Sequence, residues 1–379
     1  GWGGAPNSLI NLIKNLDKTK YEPEVLLLKN SIVAEKMREN DIKYTISDSW
    51  FYKKYYKYFT YSEVGFLRWY QIFHFIRLSI SWLLSRYYFA VRELSKYNYD
   101  IVHLNSSVLT DWLAPARKKG KVIIHIREPF RKGFGSILYK LFTNQMKEHA
   151  DHIVAISRDN AERINIPSKT TIVYNYSSIE EMKSLDSHHY ATKSVLYVGG
   201  DLKTKGFYLL TDALHLIDDD IKVYFAGTYD KNLINQSTKK KINLLYSKYL
   251  RAFLKFNAAK NAINIGFVSD INEYIDKSVC IVSPFTVPHF SRPIIEAFGR
   301  RKPAIATDIN GIDEIIQHGK NGIIVKLGDP KALADAINYL CKNPSVAKEM
   351  GDNAYGTAKV KFSQNNINEL SNIYFKMIK

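Results

Sequence analysis

Twice along this chain, short apolar segments alternate with segments of helical periodicity, and this alternation restricts the fold more than any other feature. In the first half the apolar segments are YEPEVLLLKN, DIKYTISD, YDIVHLN, GKVIIHIREPF, ADHIVAISR and KTTIVYN. In the second half they are SVLYVGGDLKTKG, IKVYFAG, AINIGFVS, VCIVSPF, PAIATDI and GIIVK. Strands alternating with helices imply a parallel sheet covered on both faces. The fold class is therefore α/β, with two Rossmann-like domains in succession. The polar stretch NYSSIEEMKSLDSHHYATK between the two series has no strand pattern and reads as a linker. Ligands of such sheets bind outside the carboxyl ends of the strands, so two facing sheets make a cleft in which a reaction belongs.

The chain opens on GWGGAPNSLINLIKNL, a glycine-rich turn running into an amphipathic helix with Leu9, Ile10, Leu12, Ile13 and Leu16 on one face. Such a turn ordinarily follows a buried strand. Here none precedes it.

A length of 379 residues suits two domains, and 46% hydrophobic residues suffice for a core in each. No apolar run is long enough to read as a membrane span, and no signal-peptide pattern is present. Cys280 and Cys341 do not make a disulfide framework, and Cys280, inside SVCIVSPF, reads as a buried thiol. A reducing cytoplasm fits. The net charge of +17, from 54 basic and 37 acidic side chains, calls for an anionic partner. Nucleic acid, nucleotide diphosphates and anionic lipid headgroups all qualify. No zinc-ligand spacing, RNA-binding signature or helix-turn-helix pattern stands out, which weighs against nucleic acid.

Two stretches carry chemistry. In YVGGDLKTKG a strand ends in Gly199-Gly200, and Lys205-Gly206 opens the next helix. Glycines let the backbone approach a phosphate, a helix N-terminus offers N–H groups, and a lysine adds a point charge. An ordinary βα turn with a surface lysine is the competing reading. In SPFTVPHFSRPIIEAFGRRKPAIAT, Pro293 suits the first turn of a helix, which points the amides of Phe290, Ser291 and Arg292 toward a ligand. Glu296 sits one turn further in, between Ile295 and Ala297. A buried carboxylate needs a partner, and a ribose diol supplies one; a surface acid is the alternative.

The order VGG…KG, FAG, IGFV, VSPF, HFSRPIIEAFGRRKPAIAT and GIDEIIQHGKNGIIV resembles the donor half of a GT-B glycosyltransferase, in the retaining group 1, or family 4. GGAPNSLINLIKNL, YDIVHLNS, VIIHIREPF, AISR and IVYNYSS resemble its N-terminal half. The resemblance covers nearly the whole chain and implies an acceptor-side domain over 1–178, a linker over 179–193 and a donor domain over 194–360. It implies a last helix over 361–379 crossing back to the first domain. It also implies a central strand before the opening glycine turn, so that the N-terminal sheet of this sequence is expected to lack its first strand by truncation.

The resemblance assigns roles. Lys205, with Gly199, Gly200 and Gly206, holds the donor diphosphate, and Glu296 binds the nucleotide ribose. Phe267 and Val268 meet the base. Gly3 and Gly4 lie close to the diphosphate or the acceptor. His125 approaches the donor sugar or the reacting centre, though a lone histidine also suits a structural role. Arg127, Glu128 and Asn105 are acceptor-side. Two family features are absent: Gly200 stands where an arginine is usual, and Pro288 where the first of two paired glutamates is usual. Arg292 is a candidate substitute for the arginine and His289 for the glutamate. The implied reaction is metal-independent sugar transfer from a UDP- or GDP-sugar to a glycan or lipid-linked acceptor, with retained configuration. No cofactor is implied beyond that substrate.

Residues 50–97 are dense in aromatics interleaved with Lys and Arg. Phe66, Tyr70, Phe73, Ile76, Ile80, Leu83 and Leu84 have helical spacing. Two readings fit: the segment meets an acceptor or an anionic membrane surface, placing the protein peripherally on the inner face of the cell membrane, or its aromatics pack on the sheet. Among functions, a catalytically degenerate GT-B partner subunit and a basic nucleic-acid-binding protein compete with the transferase.

Overall fold

The computed structural model describes residues 4–60, 72–130, 136–177, 187–227, 244–268 and 270–379. The chain divides into two compact units, Gly1–Tyr176 with Gln364–Lys379, and Ser177–Ser363.

The first unit runs α1 (Gly4–Asn15), β1 (Val25–Leu27), α2 (Ile32–Glu39), β2 (Tyr44–Ile46), α3 (Ile72–Leu84), α4 (Ala90–Leu94), β3 (Ile101–Leu104), α5 (Leu113–Arg117), β4 (Lys121–Ile126), α6 (Ile137–His149), β5 (His152–Ala155), α7 (Arg158–Ile164) and β6 (Thr170–Ile172). Strands β3-β4-β5-β6 form one parallel sheet and β1-β2 a separate parallel pair. Among the described residues no strand lies between β1 and β3. A cavity of about 550 Å³ is there instead, lined by Val25 and Leu26 of β1, Ile101 and Val102 of β3, and Leu12 and Leu16 of α1.

The second unit runs β7 (Ser194–Val198), α8 (Phe207–Ala213), β8 (Lys222–Ala226), α9 (Leu244–Ala258), β9 (Ala262–Gly266), α10 (Asn272–Lys277), β10 (Cys280–Ser283), α11 (Arg292–Gly299), β11 (Ala304–Thr307), β12 (Gly322–Val325), α12 (Pro330–Lys342) and α13 (Pro344–Lys361). Its six strands are parallel in the order β12-β11-β10-β7-β8-β9. The chain builds outward from β7 in one direction and then from β10 in the other, so the order reverses between these two neighbours. That reversal is where open α/β sheets place their ligands. The last helix, α14 (Asn365–Ile378), belongs to the first unit.

The helical faces read from the sequence explain the packing of α1. Leu12 and Leu16 join Ile123 of β4, Val154 of β5 and Ile367, Leu370 and Tyr374 of α14 in one cluster. Ile10 and Ile13 join Val25, Val33 and Met37 in another. Ser31 caps α2 by accepting from the Val33 amide at 3.3 Å. The second unit's core gathers Val195, Tyr197, Phe207, Phe225, Phe256 and Val282, and both Cys280 and Cys341 are buried. Tyr190, within the polar stretch read as linker, is fully buried in this unit and donates to the Arg301 carbonyl.

The segment from Trp50 divides between the two readings left open by its sequence. Phe51, Tyr52, Tyr56, Phe59, Trp82 and Phe89 pack on the sheet with Val122, Ile124 and Phe142. The stripe chosen by periodicity does not: Phe73, Ile76, Ile80, Leu83 and Leu84 are exposed, while Leu78, Ser81 and Trp82 on the same helix are buried. The buried side is held by polar as well as apolar groups. Ser81 accepts from the Lys57 amide at 2.8 Å, and the Trp82 indole donates to Thr110 at 3.1 Å. Phe66 and Tyr70 lie outside the described residues.

Candidate functional site

In the second unit, β7 ends at Val198 and the chain turns through Gly199 and Gly200. A Cβ on Gly199 would stand 2.3 Å from the Tyr197 hydroxyl and 2.8 Å from Lys205 Cβ, so no side chain fits there. The Tyr197 hydroxyl donates to the Gly200 carbonyl at 3.0 Å and closes the turn. A single helical turn, Lys203–Lys205, then ends at Gly206, whose φ of 85° belongs to the left-handed region that glycine tolerates. A Cβ at Gly206 would lie 1.8 Å from the Pro284 carbonyl oxygen. The loop after β7 is thus pressed against the loop after β10, at the point where the strand order reverses.

Lys205 sits in that contact. Its Nζ lies 3.1 Å from His289 Nε2 and 4.3 Å from the centre of the Phe285 ring. An ammonium only donates, so His289 Nε2 accepts and its proton rests on Nδ1. Burial lowers the Lys205 ammonium to about 8. Burial, with the Lys205 charge second, brings His289 down to about 3, so this imidazole is neutral. The His289 ring also packs on Phe285, 4.5 Å between centres. A partly desolvated cation held by a neutral acceptor and an aromatic face is poised for an anion that supplies the missing counter-charge.

Helix α11 starts nearby in sequence, with Ser291 fully buried as the residue before it and Pro293 in its first turn. The Ser291 hydroxyl lies 2.9 Å from that of Ser283 at the end of β10, which ties the helix start to the strand end. Phe290 is buried edge-on against Phe362, 6.0 Å between ring centres. Arg292 and Glu296 form an ion pair one turn apart on α11. Each was assigned a ligand contact from sequence; here each is the other's partner. Phe267, exposed, and Val268, half-buried, follow β9, separated from β7 by β8.

In the first unit the polar residues collect at the carboxyl ends of β3 and β4. Arg127 is buried, and its guanidinium donates to Asn105 at 2.9 Å, to Asn175 at 3.0 Å and to His125 Nδ1 at 3.3 Å. Asn105 in turn donates to the Ala5 carbonyl at 3.3 Å, which links the hub to the first turn of α1. Because arginine only donates, His125 Nδ1 accepts and its proton is on Nε2. That Nε2 is buried and has no partner among the described residues. Burial, then the charge of Arg127 and then His103, holds His125 well below the ordinary imidazole range. His103 stacks on it, 5.4 Å between centres, and its Nδ1 lies 2.5 Å from the Tyr374 hydroxyl of α14. Glu128 accepts from the hydroxyls of Ser106 and Ser107, both at 2.8 Å, and from the Ser107 amide at 3.2 Å. It thereby orders the turn after β3. Gly4 opens α1, and Gly3 lies outside the described residues.

The structure therefore brings Lys205 together with His289, Arg292 with Glu296, and His125 with Arg127 and Asn105. Sequence reasoning missed Phe285, Asn175 and Tyr374, although Asn175 and Phe285 both stand just past apolar strand segments, where polar or ligand-facing residues of such sheets gather. Among the described residues, no group of three His, Cys, Asp or Glu side chains is placed to hold a metal ion.

Comparison with known proteins agrees with this architecture. Residues 180–357 match the family described as Glycosyl transferases group 1, and residues 2–176 match Glycosyltransferase Family 4. The capsular polysaccharide biosynthesis glycosyltransferase CapM of Staphylococcus aureus is 30% identical over 185 residues, 48% of this chain and 46% of CapM. The uncharacterized glycosyltransferase MJ1178 of Methanocaldococcus jannaschii is 22% identical, over 75% of this chain and 77% of its own. The crystal structure of Anabaena Alr3699/HepE in complex with UDP-glucose superimposes with a TM-score of 0.72 at 17% identity, covering 99% of this chain and 96% of that one. With both halves matched and the GT-B fold shared, this chain belongs to the group 1, family 4 glycosyltransferases.

Proposed function

We propose that this glycosyltransferase moves a sugar from a nucleoside diphosphate sugar to a hydroxyl of a glycan or lipid-linked acceptor, with retention at the anomeric carbon. The observation that carries the reading is Lys205, desolvated against Phe285 and His289 where the strand order reverses in the second unit. A diphosphate is the anion that such a cation, beside a tight glycine turn, is suited to hold. HepE binds UDP and UDP-glucose, which makes a UDP-sugar the first donor to test and a GDP-sugar the second. CapM's role in capsular polysaccharide biosynthesis supports a cell-surface glycan as the product.

In the proposed step the bond from the anomeric carbon to the leaving phosphate oxygen breaks. The acceptor oxygen bonds to the same face of that carbon, and its proton passes to the departing phosphate. Negative charge grows on the diphosphate, and Lys205 with the amides of the Phe290–Arg292 segment answers it; removing such a preorganised donor costs ~10²–10³ in rate. His125, with its proton on Nε2, donates to a sugar hydroxyl. Glu296 takes the ribose diol, with its carboxylate oriented by the ion pair to Arg292.

A second reading is favoured by Gly200 and Pro288, which stand at two usual ligand positions, and by the Arg292–Glu296 pair, which leaves each with a protein partner. It is a partner subunit that binds nucleotide and transfers nothing. Incubating the chain with UDP-glucose or GDP-mannose and a polysaccharide acceptor separates the two. A product whose anomeric proton coupling matches that of the donor supports retaining transfer. Inverted coupling removes the proposed mechanism, and nucleotide binding without any product favours the partner subunit.

A further inference from the structure

Helix α3 is apolar on both sides, yet only one side is buried. Leu78 and Trp82 face the core, and Ser81 and the following Ser85 are buried beside them. On the opposite side Phe73, Ile76, Ile80, Leu83 and Tyr87 recur at intervals of three and four residues, and they are between 46% and 83% exposed. An outward stripe of this length has no counterpart in an ordinary surface helix, whose outer face is polar. It runs for about 20 Å, from the helical rise per residue. No helix among the described residues is long and apolar enough to cross a membrane.

The surroundings of the stripe are cationic and aromatic. Between residues 49 and 92 the sequence has one acidic side chain, Glu63. Arg77 is exposed on the helix itself, Arg92 follows on α4, and Lys53, Lys54 and Lys57 are exposed on the segment packed beside it. Trp50 and Tyr55 are exposed on that same segment, edge to face at 5.1 Å, and Trp50 meets Phe89 at 5.7 Å just past the stripe. An apolar stripe with cationic flanks and amphipathic aromatics is the composition of a helix lying in a lipid headgroup region. A symmetric second copy is disfavoured, because a two-fold contact would set these cations against one another.

We propose that this face is a docking surface for an anionic lipid bilayer. The stripe from Phe73 to Tyr87 inserts at the level of the headgroups, and the cations of residues 53–57, with Arg77 and Arg92, rest on the lipid phosphates. This goes beyond the donor chemistry and stands or falls independently of it.

Sedimentation with sucrose-loaded vesicles tests the proposal, using the full chain with vesicles of phosphatidylcholine alone or mixed with phosphatidylglycerol. The expected result is pelleting with the mixed vesicles, weakened by salt, and reduced at least ~tenfold by the double substitution Ile76→Glu/Ile80→Glu. The Lys53→Glu/Lys54→Glu pair is expected to reduce it at least ~fivefold. Phe73→Ser serves as a second, milder variant, and melting temperatures confirm that all variants are folded. The proposal is overturned by absence of pelleting with mixed vesicles, or by binding unaffected by the stripe substitutions. It is also overturned if the chain is a dimer by light scattering that Ile76→Glu/Ile80→Glu converts to monomer without any vesicle binding.

Discussion

Lys205 Nζ and His289 Nε2 lie 3.1 Å apart, 84 residues distant in sequence, with the Phe285 ring beneath the ammonium. The pair joins the loop after β7 to the loop after β10, and it places a cation of lowered basicity at the reversal of the sheet order.

The first consequence is a pH limb. The folded-state Lys205 loses its proton as pH rises through about 8, below its ordinary 10.5. Diphosphate affinity is therefore predicted to fall as pH rises through 8, and Lys205→Met to be weak and flat over the same range. The sign for stability is opposite. Between about 8 and 10.5 the unfolded chain holds a proton that the folded chain does not, so this group makes folding more favourable as pH rises through that window. Below 8 the buried charge opposes folding, and Lys205→Met is expected to leave stability unchanged or raise it by ~1 kcal/mol. Titration calorimetry at several pH values, with urea denaturation of both proteins, checks both signs.

Gly206→Ala tests the closeness of the two loops. With φ at 85° and the Pro284 carbonyl 1.8 Å from the new Cβ, the substitution forces the loops apart. A loss of at least ~2 kcal/mol in urea denaturation is expected. A loss under ~0.5 kcal/mol would mean that the loops are not in contact.

Arg127 holds three side chains at once, so Arg127→Met is predicted to destabilise the chain by about 2–4 kcal/mol by leaving buried acceptors without a donor. Arg127→Lys keeps the charge but cannot reach Asn105, Asn175 and His125 together, and is expected to recover less than half of that loss. Urea midpoints of the two variants measure the difference.

His125 is predicted to stay neutral, with its proton on Nε2, from about pH 5 to pH 8. Its nitrogen shifts in a histidine-labelled sample report the tautomer directly. Titration near the ordinary imidazole pKa would contradict the burial and the Arg127 contact. His125→Ala is expected to keep nucleotide affinity within ~twofold while lowering transfer, since its Nε2 is assigned to the sugar rather than the diphosphate.

The central strands were legible because both of their faces are covered, so Val122–Ile124 and Val195–Tyr197 form continuous buried apolar runs. The Lys205-Gly206 turn was legible because its glycine and lysine serve one local geometry. What was hidden depends on distance along the chain. Nothing near His289 announces that it accepts from Lys205, and nothing near Asn175 or Tyr374 announces the cluster around Arg127 and His103. Helix α3 shows a different limit. Periodicity located the apolar stripe from Phe73 to Leu84 but not the side it faces, because Ser81 and Trp82 satisfy their polar atoms inward and leave the stripe outside. Arg292 and Glu296 were each given a ligand; their spacing of four on a helix could have shown that they pair.

Lys205 is the residue on which nucleoside diphosphate binding is proposed to depend. The direct measurement is isothermal titration of UDP, GDP, ADP and CMP into the folded chain and into Lys205→Ala at pH 7. Selective binding of one diphosphate, UDP before GDP, is expected, weakened at least ~tenfold in the variant by loss of a charge-assisted contact. Binding of none of the four, or equal binding by the variant, would contradict it.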